Sequence, residues 1–312
     1  MTARTPPDRE AHVIDPRIEA LYNVRRTVTP AVFDANMAAY RSRSDDAVRG
    51  LAGHSDIVYD AASGQQLDIW APGTAASPRP VFVAVHGGYW RALSRHDTAF
   101  MARALADHGI ATVTVDYGLA PGTRLHEIVR QVRAAVAWVH GHGGAYGLDT
   151  GRIVVGGSSA GGHLTGAVMT PGWQEETGVP RDAVRAAMPI SGLFDLRPLV
   201  HASPNEWLSL SPDDAAALSP ALQPTVGSYL PPAVIAVAEH DGEGFLEQSR
   251  RFHETWSRRA AAKLLTIPGR NHYDVFLDLA DPSTALFQAL TGLFATTAGA
   301  SAAPAVRAGS AS

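Results

Sequence analysis

Short uninterrupted apolar runs, alternating with segments of helical period, constrain this chain more than any other feature. Val81–Val85, Ile110–Val115, Arg152–Val155, Ala187–Ile190, Ala233–Ala238 and Lys263–Ile267 read as strands. Arg95–His108, Leu125–His140, Ala160–Met169, Phe245–Ala260 and Ser283–Leu293 read as the helices between and after them. Strands without polar alternation must be covered on both faces, so the pattern predicts an α/β fold with a mainly parallel central sheet and helices on both sides. Ahead of them, Asp56–Tyr59 and Leu67–Trp70 flank Ala62-Ser63-Gly64 and predict a hairpin. The regular spacing leaves no room for a second domain, and one domain over 15–295 is expected. It includes a helical N-terminal extension over 15–50, interrupted at Pro30, and a lid-like insertion over 196–232 with a short helical piece near Asp213–Leu218. Connections of that length usually serve function, here as a lid or pocket wall. Residues 1–14 read as a flexible lead-in and 296–312 as a disordered, low-complexity tail.

Composition narrows the function classes. A net charge of −4 offers no basic field for nucleic acid or acidic lipid. The absence of cysteine removes disulfides, thiolate nucleophiles and cysteine zinc sites. The opening MTARTPPDRE has no apolar signal segment and no stretch is long enough to span a membrane, so a cytoplasmic globular protein is expected. No His-rich metal motif is present, and no cofactor is expected. Oligomeric state stays open, a homodimer included.

Chemistry enters at Gly157-Ser158-Ser159-Ala160-Gly161, a G-x-S-x-G pattern between a strand and a helix. A sharp strand-to-helix turn lifts its central serine out of the sheet, and small neighbours are needed where backbone crowds it. Ser158 is the adjacent rival, but the glycine spacing selects Ser159 as nucleophile. His86-Gly87-Gly88-Tyr89-Trp90 follows the strand Val81–Val85, and two glycines let backbone N–H groups approach an oxyanion. Gly87, Gly88 and Ala160 are therefore the expected oxyanion donors, with His86 holding the loop.

Serine needs a base, and the base an orienting acid. His272 follows the last strand on the same sheet edge as Ser159, and Asp241 follows the strand before it. The order Ser159, Asp241, His272 suits the serine–acid–histidine arrangement of such sheets. His240, Glu239, Glu243 and Asp195 are the neighbouring alternatives. His140 and His142 fall in a loop at the opposite edge, and His163 serves packing. Tyr89, Trp90, Phe194, Trp207, Phe245 and Tyr273 lie on loops expected to face the site and to suit a flat apolar substrate.

Together these segments resemble the α/β-hydrolase superfamily, in particular its kynurenine formamidase (arylformamidase) branch near the hormone-sensitive-lipase-like esterases. The resemblance covers roughly residues 19 to 295. It is carried by Leu21-Tyr22-Asn23, His86 to Trp90, Asp116-Tyr117-Gly118-Leu119-Ala120-Pro121, Ser159 to Leu164, Ile190 to Pro198, Glu239-His240-Asp241 with Gln248-Ser249, and Asn271-His272-Tyr273-Asp274. It departs from that pattern at Ser158, where relatives often carry His or Asp, and in the insertion after Arg197. The resemblance implies a serine hydrolase acting on N-formylkynurenine. A carboxylesterase for short acyl or aryl esters would use the same residues, and a non-catalytic ligand-binding relative is the alternative outside enzymes.

Overall fold

Val81, Val83 and Val85 pack into one hydrophobic cluster while Phe82 and Ala84 pack into another, and all five are fully buried. Alternate residues of a strand point to opposite faces, so burial of both faces demands the unbroken apolar run seen in the sequence. The computed structural model describes residues 13–223 and 228–298. Its strands are β1 (Gly53–Asp60), β2 (Gln65–Trp70), β3 (Arg79–Val85), β4 (Ala111–Val115), β5 (Leu148–Ser158), β6 (Ala186–Ile190), β7 (Ala233–His240) and β8 (Ala262–Asn271). They form a single sheet in the order β1-β2-β4-β3-β5-β6-β7-β8. The β1–β2 and β2–β4 pairs are antiparallel and the rest parallel, with Val83 registered against Val113 and Val155. Leu125–His142, Ala160–Met169 and Glu243–Trp256 supply side chains to clusters on one face. Pro30–Val48, Ala102–Asp107 and Ala285–Ala298 cover the other.

Several elements differ from their sequence reading. The helix expected over Arg95–His108 is a 3-10 turn at Arg95–Asp97 followed by a helix only from Ala102 to Asp107. Between them, the Ala99 N–H that a helix would give to the Arg95 carbonyl donates to Ser44 Oγ at 3.0 Å, while the Arg95 N–H donates to Asp116 Oδ1 at 2.8 Å. The helical pattern breaks just before Pro30 as expected, and Pro30 begins the next helix at the first-turn position where its missing N–H costs nothing, with Thr29 as cap. That helix runs to Val48. Thr296–Ala298 complete the final helix instead of opening the tail. The rest of that expected tail, and the lead-in through residue 12, lie outside the described residues.

The N-terminal extension and the insertion are fastened to each other. Ser203 donates to Glu19 from its N–H at 2.8 Å and from its hydroxyl at 3.0 Å. Gln248 Nε2 donates to Tyr22 Oη at 2.9 Å, and Gln248 Oε1 accepts from the N–H groups of Phe194 and Asp195. A Cβ on Gly244 would lie 2.6 Å from the Tyr22 ring, so this helix turn must be bare for Tyr22 to dock. Within the insertion, Pro212–Ala217 is the helical piece, closed by a reciprocal Ser211–Asp214 capping box.

Under the β3–β4 end of the sheet, Arg95 is buried among carboxylates. Its Nε lies 3.0 Å from Asp68 Oδ1, and it also pairs with Asp116 and Asp56. Asp116 leads into Tyr117, whose hydroxyl donates to the carbonyl oxygens of His86 (2.9 Å) and Gly87 (3.0 Å). The ion cluster thus anchors the glycine loop from behind. Arg95→Met should leave Asp68, 1% exposed, without its cation and destabilise the fold by about 3–5 kcal/mol. Urea unfolding would show this as a lower midpoint at unchanged slope; an unchanged midpoint would contradict it.

Candidate active site

Strand β5 ends at Ser158, the next helix starts at Ala160, and Ser159 between them has φ 59° and ψ −118°. A non-glycine residue reaches this region only when its surroundings force it. The force is visible. A Cβ on Gly157 would sit 2.4 Å, and one on Gly161 2.1 Å, from the carbonyl oxygen of Val85. Ser158 remains in the β5 ladder opposite Ile190, so only Ser159 is lifted by the turn.

Asp241 and His272 follow the ends of the neighbouring strands β7 and β8. His272 Nδ1 is 2.8 Å from Asp241 Oδ1, which also accepts the Gly242 N–H at 2.7 Å. An ionised carboxylate can only accept, so Nδ1 carries the proton and Nε2 is left as a free lone pair. Both residues are buried, and Phe245 packs edge-on against the His272 ring at 4.6 Å. Two of the other acids are occupied elsewhere. Asp195 pairs with Arg197, and Glu239 accepts the Gly269 N–H. His140 and His142 stand in the last turn of the helix Leu125–His142, not in a loop as expected, and neither lines the site.

The glycine loop lies against the serine. A Cβ on Gly87 would be 3.4 Å from Ser159 Cβ, and Gly88 has φ +90°. The N–H groups of Gly87, Gly88 and Ala160 donate to no protein acceptor among the described residues. Behind them His86 is fully buried, stacks on Tyr117 at 3.9 Å and donates from Nδ1 to the Gly87 carbonyl. Burial holds its imidazole below the ordinary pKa, hence neutral.

Ser159 and His272 open onto a cavity of about 530 Å³. Tyr89, Trp207 and Tyr273 line it, as expected for them. Trp90, Phe194 and Phe245 do not, which corrects the sequence reading. Trp90 is turned inward, its Nε1–H donating to His163; Phe194 stacks on Phe252 at 4.1 Å; Phe245 backs His272. The wall that sequence reasoning missed comes from the N-terminal extension, through Tyr22, Arg25, Phe33, Met37 and Tyr40. Its signal was present, since Phe33, Met37 and Tyr40 are spaced i, i+4, i+7 along one helix face. Among the described residues no group of three or more His, Cys, Asp or Glu is disposed to hold a metal ion. Likewise no described helix is long and apolar enough to cross a membrane.

A family model described as BD-FAE matches residues 67–255. The chain belongs to the BD-FAE family. It is 29% identical to a kynurenine formamidase of Salmo salar over 83% of this chain and 88% of that protein. Similarity to a carboxylic ester hydrolase of Mycobacterium tuberculosis is 28% over 74% of this chain and 69% of that one. Among solved structures, a candidate thioesterase from Silicibacter sp. TM1040 is 28% identical with a TM-score of 0.73, over 87% of this chain and 97% of the other. The thermostable carboxylesterase EstE1, at 20% identity and a TM-score of 0.66 over 88% and 97%, shares the fold. This BD-FAE chain is an α/β-hydrolase-fold hydrolase resembling the kynurenine formamidases. The BD-FAE match spans the glycine loop, Ser159 and Asp241, and stops before His272.

Behind the site, His163 joins the BD-FAE core to the insertion: Nδ1 accepts from Trp90 Nε1–H at 3.3 Å and Nε2–H donates to the Leu218 carbonyl at 2.9 Å. Burial pushes its pKa down to about 4 from an ordinary 6.5. Unfolded chains protonate this group near 6.5 while the folded protein resists. Stability that is whole above that pH should therefore fall by about 3 kcal/mol as pH drops through the window toward 4. His163→Asn should flatten this slope, read from denaturant midpoints across the window; an equal slope in the variant would show that other groups carry it.

Proposed function

We propose that this protein hydrolyses an aryl formamide such as N-formylkynurenine through a formyl-enzyme on Ser159. The observation that carries the reading is the 2.8 Å His272–Asp241 hydrogen bond beside a left-handed Ser159 in one cavity. His272 Nε2 takes the Ser159 hydroxyl proton as Oγ attacks the formyl carbon. The N–H groups of Gly87, Gly88 and Ala160 receive the oxyanion. The C–N bond then breaks, His272 returns the proton to the leaving aniline nitrogen, and formate stays esterified to Ser159. Water, deprotonated by His272, attacks that ester; formate departs and Ser159 recovers its proton. Asp241 keeps Nδ1 protonated and stabilises the imidazolium formed in each half.

An aniline is a weaker base than an alkylamine, so its expulsion asks no more of the site than expulsion of an alkoxide does. The aromatic cavity walls suit an aryl leaving group, and the kynurenine formamidases of Salmo salar and Danio rerio match 83% of the chain. A second reading, a carboxylesterase for short acyl or aryl esters, uses the same atoms and is supported by the mycobacterial ester hydrolase match.

Steady-state kinetics with N-formylkynurenine and 4-nitrophenyl acetate, on the native protein and Ser159→Ala, test both. We expect the higher kcat/KM on the formamide and a fall of about 10⁴-fold or more in the variant, with the fold retained. Ester turnover without formamide turnover would select the second reading. Full activity in Ser159→Ala would overturn both.

A further inference from the structure

Most of the cavity wall is apolar, yet Arg25, Arg91 and Glu206 also line it. None of the three forms an ion pair among the described residues. Arg91 Cζ lies 3.8 Å from the centroid of the Trp207 ring, and Arg25 Cζ 4.2 Å from that of Phe33. Both rings are themselves held. Trp207 Nε1–H donates to the Tyr89 carbonyl at 3.0 Å, and Phe33 packs edge-on against Tyr273, next to His272, at 5.0 Å. A guanidinium held over an aromatic ring loses little of its hydrogen-bonding capacity, and its N–H groups remain available to a planar carboxylate. Positive charge left unpaired in a pocket that is otherwise greasy is what an anionic substrate group would neutralise.

Position adds the direction. Arg91 follows the glycine loop directly, its N–H donating to the Gly88 carbonyl at 3.0 Å, and it both lines the cavity and is exposed to solvent, which puts it on the cavity's open side. Arg25 enters from the N-terminal extension. A formyl group ends at its carbonyl carbon, so the remainder of a formamide lies on the leaving-group side and extends toward that mouth. We propose that Arg25 and Arg91 form an anion-binding rim that selects substrates carrying a carboxylate on the leaving-group side. Glu206, beside Trp207, supplies the opposite charge for an adjacent ammonium, so the rim fits an amino-acid end. The inference rests on the formamidase reading for its preferred substrate, but the rim acts equally on an aryl ester with an acidic leaving group.

The test uses 4-acetoxybenzoate and its methyl ester, which differ only in the carboxylate, together with N-formylkynurenine. In the native protein kcat/KM should favour the anion, and added NaCl should erode that preference. Arg91→Gln and Arg25→Gln should each lower the anion-to-methyl-ester ratio of kcat/KM about tenfold, with the loss in KM, as for a charge-assisted contact at a partly exposed site. Arg91→Lys should recover part of it. A ratio unchanged in both glutamine variants overturns the rim, even if N-formylkynurenine is cleaved. A ratio that falls as expected while N-formylkynurenine is not cleaved supports the rim and overturns the formamidase reading.

Discussion

One carbonyl oxygen, that of Val85, organises the centre of the molecule. Gly157 and Gly161 approach it so closely that neither could carry a Cβ. This contact sets the end of β3 against the turn after β5, and the turn can then be made only by forcing Ser159 into a left-handed conformation. Gly87, just beyond Val85, is placed against Ser159 by the same approach. A serine that is strained, open to the cavity and faced by N–H groups free among the described residues is thus a result of packing two strands and one helix without side chains between them. Asp241 and His272 need no such contact; parallel neighbours β7 and β8 deliver them to the same sheet edge.

The cavity is assembled by different means. Its walls come from segments nearly two hundred positions apart in the chain, the extension around Tyr22–Tyr40 and the insertion around Ser203–Trp207. Polar bonds hold them together: Glu19 to Ser203, Tyr22 to Gln248, and Gln248 to the backbone at the start of the insertion. Such bonds contribute about 1 kcal/mol each when well made, and the buried ones are costly to break singly. The described part of the insertion has its own caps and core residues, Leu199, Leu208 and Ala215 among them.

Sequence reasoning could read the sheet because double burial leaves an unmistakable apolar run, and could read Ser159 because its crowding demands glycines at set positions. Asp241 and His272 were legible from their place after successive strands. Side-chain direction on loops was not. Trp90 and Tyr89 are adjacent, yet one turns into the core to meet His163 and the other faces the cavity. The expected helix at Arg95–His108 failed for a related reason: Ser44, far away in sequence, claims the Ala99 N–H that a helix would have given to the Arg95 carbonyl. Long-range partners of that kind have no local signature.

The proposed reacting groups and the shape around them lie on stretches of chain with separate constraints. Around Val85 a side chain at Gly157 or Gly161 would meet backbone, so those positions must be inherited as glycine. The extension and the insertion touch the centre through a few side-chain bonds and stacked rings, and these can be exchanged without disturbing the elbow. Variation among relatives should therefore collect in the walls, letting one inherited reaction be refitted to new substrates by replacing its surroundings.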